Sequence, residues 1–173
     1  MVFPIQSASS APASSAHTAL PLRVATAGEA LFDLIEEPDG RLKPCAGGAV
    51  YNLTRALGLQ GVGTQYLNPL SGDMLGRQLA HGLHDAGVAL AAPTPVRAPS
   101  ALALAALDAE GKASYSFYRD GVADRQVTAA ALNAACAALP GLQVVSTGSV
   151  ALVAQDAAIH QALLTAQRTA GRV

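Results

Sequence analysis

The chain has 173 residues, and its net charge is −1 because 11 lysines and arginines balance 12 aspartates and glutamates. This near-neutral charge gives no electrostatic footprint for nucleic acid, and the 4% aromatic content offers few surfaces for base stacking. No apolar run approaches the ~20 residues that a membrane helix needs. We therefore expect neither nucleic acid nor a membrane as a partner.

The N-terminal segment and the two cysteines bear on where the protein is located. Residues 1–20 are rich in Ser, Ala and Pro and lack the pattern of a secretory signal, so we predict a flexible tail followed by a folded region over 21–173. Cys45 and Cys136 have no Cys or His at metal-ligand spacing, and no metal site is predicted. Because nothing in the chain requires a disulfide, a cytoplasmic location is expected.

Three extended segments are predicted first along the chain. The apolar run 22–28 ends at a glycine and is typical of a buried strand. The segment 30–37 continues extended up to a turn at Pro38-Asp39-Gly40. The segment 41–45 predicts a short strand, and Pro44 places it at the edge of a sheet because proline cannot donate to a neighbour.

Two helices flank the next strand. The first is predicted over 49–60, with Val50, Leu53 and Leu57 on its buried face. A core strand over 62–67 follows. The second helix is predicted within 72–87, where Asp73 is suited to cap the helix start. Its apolar face consists of Leu75, Leu79 and Leu83.

A β-hairpin is predicted from the arms 101–108 and 113–120, with Gly111 in the turn. Strict alternation in the second arm places Phe117 and Arg119 on one face and Tyr118 on the other. The remainder predicts a helix over 128–139, a strand over 142–148 and a long helix over 151–170. This alternation of strands and helices favours an α/β fold with a parallel sheet covered by helices.

Five segments in order resemble the N-terminal half of the PfkB or ribokinase-like carbohydrate kinases and are most similar to the fructokinase branch. The segments are GEALFDLI (28–35), AGGAVYNLTRALGLQG (46–61), LSGDMLGRQL (70–79), SALALAALDAEGKASYSFYRDGVAD (100–124) and TGSVAL (147–152). The resemblance implies a ribokinase-like, Rossmann-like domain with a small β lid at about 100–120. It also implies a sugar as acceptor, ATP as phosphoryl donor and Mg²⁺ as its companion.

The resemblance also assigns residues to sugar binding. Asp33 is expected just past the first strand, where a carboxylate can accept hydrogen bonds from two hydroxyl groups. Gly47 and Gly48 precede a helix, so the backbone can approach a ligand closely. Asn52, on the first helical turn, can both donate and accept.

The lid strand supplies the remaining expected contacts. An aromatic ring covers the apolar face of a sugar and an arginine donates a fork of hydrogen bonds, which are the roles implied for Phe117, Tyr118 and Arg119. Because the first two point to opposite faces in a regular strand, both can face the sugar only if the strand ends or bulges there. The family often pairs such lids, so a homodimer is a further expectation.

No catalytic residue is predicted within the 173 residues. The family's catalytic aspartate lies in a Gly-Ala-Gly-Asp segment near its C-terminal end, and the sequence contains no such segment. We therefore interpret the chain as the sugar-binding half of a fructokinase-like enzyme, truncated after the N-terminal half and inactive alone. The alternatives are a 2-keto-3-deoxygluconate kinase, a nucleoside kinase, or a non-catalytic protein that binds sugar or mediates an interaction. A nicotinamide oxidoreductase is disfavoured because the G-x-G-x-x-G spacing is missing.

Overall fold

The computed structural model describes residues 21–107, 113–153 and 156–173, so the predicted tail over 1–20 and the hairpin turn lie outside the described residues. These ranges contain eight strands and four α-helices. The strands are β1 (Val24–Ala27), β2 (Leu31–Glu36), β3 (Leu42–Gly47), β4 (Thr64–Tyr66), β5 (Ala89–Leu90), β6 (Ala101–Leu107), β7 (Ala113–Tyr118) and β8 (Val144–Thr147). The helices are α1 (Ala49–Leu59), α2 (Met74–Asp85), α3 (Ala129–Ala137) and α4 (Ala157–Thr169).

The first sheet is parallel, in the order β5-β4-β1-β8, and helices cover both of its faces. On one face, Ala25 and Ala27 of β1 pack with residues of α3 and α4, including Leu132 and Leu163. On the other face, the hydroxyl of Thr26 shares a 2.7 Å hydrogen bond with that of Thr54 in α1. The predicted α/β fold with a helix-covered parallel sheet is confirmed.

The second sheet is mixed, in the order β3-β2-β6-β7. The expected edge position of the Pro44 strand is confirmed, and β6 and β7 pair antiparallel as the hairpin prediction required. The extended conformation predicted for 30–37 is confirmed, because β2 covers Leu31–Glu36. Gly28, with a φ of 154°, turns the chain between β1 and β2, so β2 lies in the second sheet, where it pairs with β6. The hairpin is therefore half of a four-stranded sheet.

The predicted buried face is confirmed for α2 and wrong in part for α1. In α2, Leu79 and Leu83 are fully buried and Leu75 packs against the same core. In α1, Leu53 is 41% exposed, while Thr54 is buried. The hydrogen bond of Thr54 to Thr26, together with one to the Val50 carbonyl, satisfies the buried hydroxyl and fixes the rotation of the helix.

The C-terminal helix is shorter than predicted. A 3₁₀ turn over Ser149–Leu152 replaces its first turn, and α4 begins only after Asp156. Val153, directly after this turn, has an extended backbone with a φ of −115° and a ψ of 153°, which interrupts a regular helix at this point. After α4, Val173 exchanges two backbone hydrogen bonds with Gln143 and Val145 beside β8. Within the described ranges, no helix combines the length and apolar character needed to cross a membrane.

Candidate functional site

Asp33 lies in the middle of β2, so its predicted position just past a strand end is wrong. Its register partners are Cys45 on β3 and Ala103 on β6, and Ala103 is in turn opposite Phe117 on β7. Directly opposite residues share a face of a sheet, so Asp33 and Phe117 face the same side, about 10 Å apart across two strand spacings. Partial burial raises the pKa of Asp33.

The carboxylate of Asp33 lies against Gly47, the last residue of the neighbouring strand. A Cβ built on Gly47 would overlap Oδ2 of Asp33, so only glycine leaves room for the carboxylate in this position. Gly48, the next residue, caps α1 with a φ of 101°, and a Cβ there would lie 2.9 Å from the Glu29 carbonyl oxygen. Gly47 therefore allows the close approach of the Asp33 carboxylate, and Gly48 allows the chain to reverse at the start of α1.

Glu29 organises the start of α1 and was missed by sequence reasoning. Its side chain is 1% exposed, and Oε1 accepts a 2.9 Å hydrogen bond from the Ala49 N–H. Its carbonyl oxygen accepts a second bond from the Tyr51 N–H, at 3.2 Å. A carboxylate is favourable at a helix N-terminus. The signal available in the sequence was a single acidic residue inside an otherwise apolar stretch.

Asn52 is exposed on the first turn of α1, and its N–H donates to the Gly48 carbonyl oxygen at 2.9 Å. The helix start thus holds Asn52 next to the turn made by Gly47 and Gly48. These three residues and Asp33 lie around one point of the structure, where β2, β3 and α1 meet. The grouping of the four predicted residues follows from the β2–β3 pairing and the short β3–α1 connection.

The lid residues occupy the end of β7. Phe117, Tyr118 and Arg119 line one cavity of about 340 Å³, which Asp33 does not line. Phe117 is 50% exposed and stacks on Tyr115 with ring centroids 6.0 Å apart. The predicted alternation is present, because Tyr118 is opposite Leu102 and points to the other face from Phe117.

Arg119 is the centre of a buried ion-pair cluster rather than an open fork of donors. Its side chain is 10% exposed. One terminal nitrogen donates to Asp124 at 2.9 Å and the other to Asp156 at 3.3 Å. Arg125 donates to the second oxygen of Asp156 at 2.8 Å and to the Arg119 carbonyl oxygen at 2.7 Å. Neither aspartate was identified from the sequence. Asp156 is 37 residues from Arg119, whereas Asp124 is only 5 residues away and its partner became clear only from the fold.

In this cluster, burial and the positive charge of Arg119 have opposite effects on the pKa of Asp124. Burial raises the pKa of Asp124, and the charge and hydrogen bond of Arg119 act in the opposite direction. The cluster connects the end of β7 to the start of α4, which fixes the lid sheet against the parallel sheet. A sugar contact by Arg119 stays a prediction. Among the residues that the structure describes, no group of three or more His, Cys, Asp or Glu side chains is placed to hold a metal ion.

Comparison with known proteins finds relatives among fructokinases, although no family model matches the chain. Over 109 residues the chain is 34% identical to a fructokinase of Rhizobium leguminosarum bv. trifolii, covering 61% of this chain and 33% of the relative. Over 144 residues it is 31% identical to fructokinase-1 of Oryza sativa subsp. japonica, covering 76% and 43%. The chain therefore spans less than half the length of the curated relatives that it matches.

A solved structure agrees with these sequence matches. The crystal structure of a Xylella fastidiosa fructokinase with bound ATP superposes with a TM-score of 0.73 at 27% identity, covering 89% of this chain and 48% of that chain. The chain is thus homologous to fructokinases and has the fold of the PfkB or ribokinase-like carbohydrate kinases, which confirms the resemblance drawn from its sequence.

Proposed function

We propose that the chain forms the sugar-binding part of an ATP-dependent, fructokinase-like enzyme. The observation that carries this proposal is Asp33, a half-buried carboxylate that has no cationic partner among the described residues and lies against Gly47. A carboxylate kept without a partner is costly unless a ligand supplies hydrogen-bond donors. Sugar hydroxyl groups are suited to that role.

The other site residues have complementary tasks in this proposal. Gly47 and Gly48 let the sugar approach the backbone at the start of α1, and Asn52 both donates to and accepts from a hydroxyl group. Phe117, on the face shared with Asp33, covers the apolar side of the sugar ring. Arg119 contributes by holding β7 in position. It also donates a hydrogen bond to the sugar when one of its N–H groups turns toward the ligand.

ATP and Mg²⁺ are part of the proposal for the whole enzyme, since a structural neighbour is a fructokinase with bound ATP. The described residues present no three-ligand metal cluster, and the sequence has neither a phosphate loop of the G-x-x-x-x-G-K-[ST] type nor a Gly-Ala-Gly-Asp segment. The described residues therefore do not fit these groups, and we derive no transfer step through them. We propose that the 173 residues alone bind sugar without phosphorylating it.

Two further elements belong to the proposal. Aromatic side chains are exposed on both faces of the lid strand, where Tyr115 is 55% and Tyr118 59% exposed, and this supports pairing of two lids in a homodimer. The free thiols of Cys45 and Cys136 support a reducing, cytoplasmic environment.

A binding panel tests the proposal and its alternatives. Fructose, 2-keto-3-deoxygluconate and a nucleoside are titrated into the chain and into the Asp33→Asn variant by calorimetry. Saturable fructose binding that the variant loses supports the proposal, whereas tighter binding of either other ligand selects the corresponding alternative. Lack of binding to all three overturns the sugar site. Release of ADP in the presence of ATP, Mg²⁺ and fructose overturns the claim that the chain alone is inactive.

A further inference from the structure

A second concave region lies on the opposite side of the lid sheet from Asp33. It is a groove of about 640 Å³ whose apolar wall includes Phe32, Pro44 and Ala46 from β2 and β3. Phe32 is opposite Ala46 in the pairing of these strands, and Asp33 is opposite Cys45. Because successive residues of a strand point to opposite faces, the groove and the Asp33 site are separated by the sheet itself.

Two arginines from different helices line this groove. Arg55 of α1 donates from Nε to the Gly82 carbonyl oxygen at 3.1 Å and lies over the Tyr51 ring at 5.9 Å. Arg77 of α2 donates from one terminal nitrogen to the Gly72 carbonyl oxygen at 2.7 Å. Each guanidinium is therefore held in place by a neutral acceptor while retaining further N–H donors.

Neither the guanidinium of Arg55 nor that of Arg77 has an ion-pair partner among the residues that the structure describes. The nearby Asp85 is engaged with His81, another residue of the groove, at 3.2 Å. In a chain with a net charge of −1, two anchored guanidinium groups beside an apolar wall are a local concentration of positive charge.

We propose that this groove binds a small phosphomonoester with an apolar or ring-shaped body. A phosphomonoester carries a charge of about −1.5 to −2 at neutral pH, which matches two guanidinium groups. Planar guanidinium donors suit the tetrahedral oxygens, since arginine can donate two parallel hydrogen bonds to a phosphate. The body of the ligand packs against Phe32 and Pro44. The site is independent of the proposed sugar kinase function because it uses none of the residues assigned to the sugar.

The test uses phenyl phosphate as the probe and phenol as its neutral counterpart, each titrated into the chain by calorimetry or NMR. Phenyl phosphate is expected to bind saturably, and phenol is expected to bind at least about tenfold more weakly. The variants Arg55→Gln and Arg77→Gln are each expected to lose about tenfold in affinity for phenyl phosphate. Arg41→Gln is the matched control, because Arg41 is exposed, pairs with Asp39 and does not line the groove, and its affinity is expected to be unchanged.

Several outcomes would overturn the site. They are a phenyl phosphate affinity that is equal in all three variants, equal binding of phenol, or no saturation at millimolar probe. Because Arg55 also supports the contact between α1 and α2, its variant is accompanied by a thermal melt, and the exposed Arg77 decides the result if Arg55→Gln does not fold. Displacement of phenyl phosphate by fructose would place the probe at Asp33 instead and would likewise overturn the proposal.

Discussion

The carboxylate of Asp33 occupies the space that a side chain at residue 47 would need. The two residues are diagonal neighbours, since Asp33 is opposite Cys45 and Gly47 is two positions further along β3. The identity of residue 47 therefore determines where the carboxylate of Asp33 can lie. The missing Cβ of Gly47 is therefore a condition for the orientation of the carboxylate, and it can be tested separately from the stability of the fold.

Replacing Gly47 by alanine is expected to weaken sugar binding with little effect on stability. The atom in the way is the end of a side chain that can rotate, so the fold accommodates the methyl group while the carboxylate moves. Loss of a charge-assisted hydrogen bond corresponds to about tenfold or more in affinity. Fructose titration and urea unfolding of the same preparation measure the two effects.

Gly40→Ala is the control for this glycine replacement. Gly40 has a φ of 77° and no atom near its missing side chain, so we expect a loss of about 1–2 kcal/mol in the free energy of unfolding and unchanged fructose affinity. If Gly47→Ala bound fructose as tightly as the parent chain, the contact between Asp33 and Gly47 would have no bearing on the ligand.

Asp33→Asn is expected to stabilise the protein at neutral pH while removing sugar binding. Burial raises the pKa of Asp33, so the folded state binds its proton more tightly than the unfolded state. The carboxylate therefore lowers the free energy of unfolding as the pH rises through that raised pKa, and the amide avoids this cost. The gain in melting temperature should be present at pH 7 and shrink as the pH falls toward about 4.

A melting temperature of Asp33→Asn that is lower than that of the parent chain at pH 7 would contradict this reasoning. It would mean that the carboxylate has a stabilising partner in solution. Asp39→Asn is a suitable comparison, because hydrogen bonds from Arg41 lower the pKa of the exposed Asp39. The sign of its pH dependence is expected to be opposite to that of Asp33→Asn.

Local features of this fold were predictable from the sequence because their causes lie within a few residues. The buried leucines of α2 recur at helical spacing, and the cap at Asp73 acts on Gly76, three residues ahead. The edge position of β3 follows from Pro44 alone. The grouping of Gly47, Gly48 and Asn52 at one helix start likewise needed no knowledge of distant contacts.

The errors came from pairings between distant parts of the chain. The strand around Asp33 can be recognised from the sequence. The partner of Asp33, however, is Ala103 on β6, 70 positions away. Only that pairing shows that β2 belongs to the lid sheet. The exposure of Leu53 depends on the hydroxyl pair between Thr26 and Thr54. The burial of Arg119 depends on an aspartate from another element.

Arg119→Met is expected to destabilise the fold strongly. Removing one member of a buried ion pair leaves an uncompensated charge and costs about 3–5 kcal/mol, and here both Asp124 and Asp156 would lose a partner. Burial raises the pKa of Asp124 against the influence of Arg119, so the loss should be largest at neutral pH and smaller as the pH falls. Urea unfolding at two pH values measures both effects.

Two further variants test whether the loss of stability in Arg119→Met comes from the buried charges. Adding Asp124→Asn to Arg119→Met should recover part of the lost stability, because one buried charge is removed. Arg41→Met breaks an exposed pair with Asp39 and should leave the free energy of unfolding almost unchanged. A loss at residue 119 no larger than that of Arg41→Met would show that the buried cluster does not stabilise the connection of the lid.

Asp73→Ala is expected to loosen the connection between α2 and the start of β6. Oδ1 of Asp73 accepts from the Gly76 N–H and the Ser100 hydroxyl, both at 2.7 Å, and Oδ2 accepts from the Ser100 N–H at 2.8 Å. Loss of the helix cap costs about 1 kcal/mol, and the unpaired groups of Ser100 add about 1–3 kcal/mol. Asp73→Asn keeps acceptor capacity on one oxygen and should lose less.

The pH dependence of Asp73 separates the carboxylate from the size of the side chain. Burial acts to raise the pKa of Asp73, but the hydrogen bonds from Gly76, Ser100 and Ser71 outweigh it and the pKa is lowered. The stabilisation is therefore present above the ordinary aspartate pKa and is lost as the pH falls through the lowered value. The difference in free energy of unfolding between the parent chain and Asp73→Asn should narrow below about pH 4. A difference that stayed constant across this range would show that the shape of the side chain, and not its charge, holds α2 to β6.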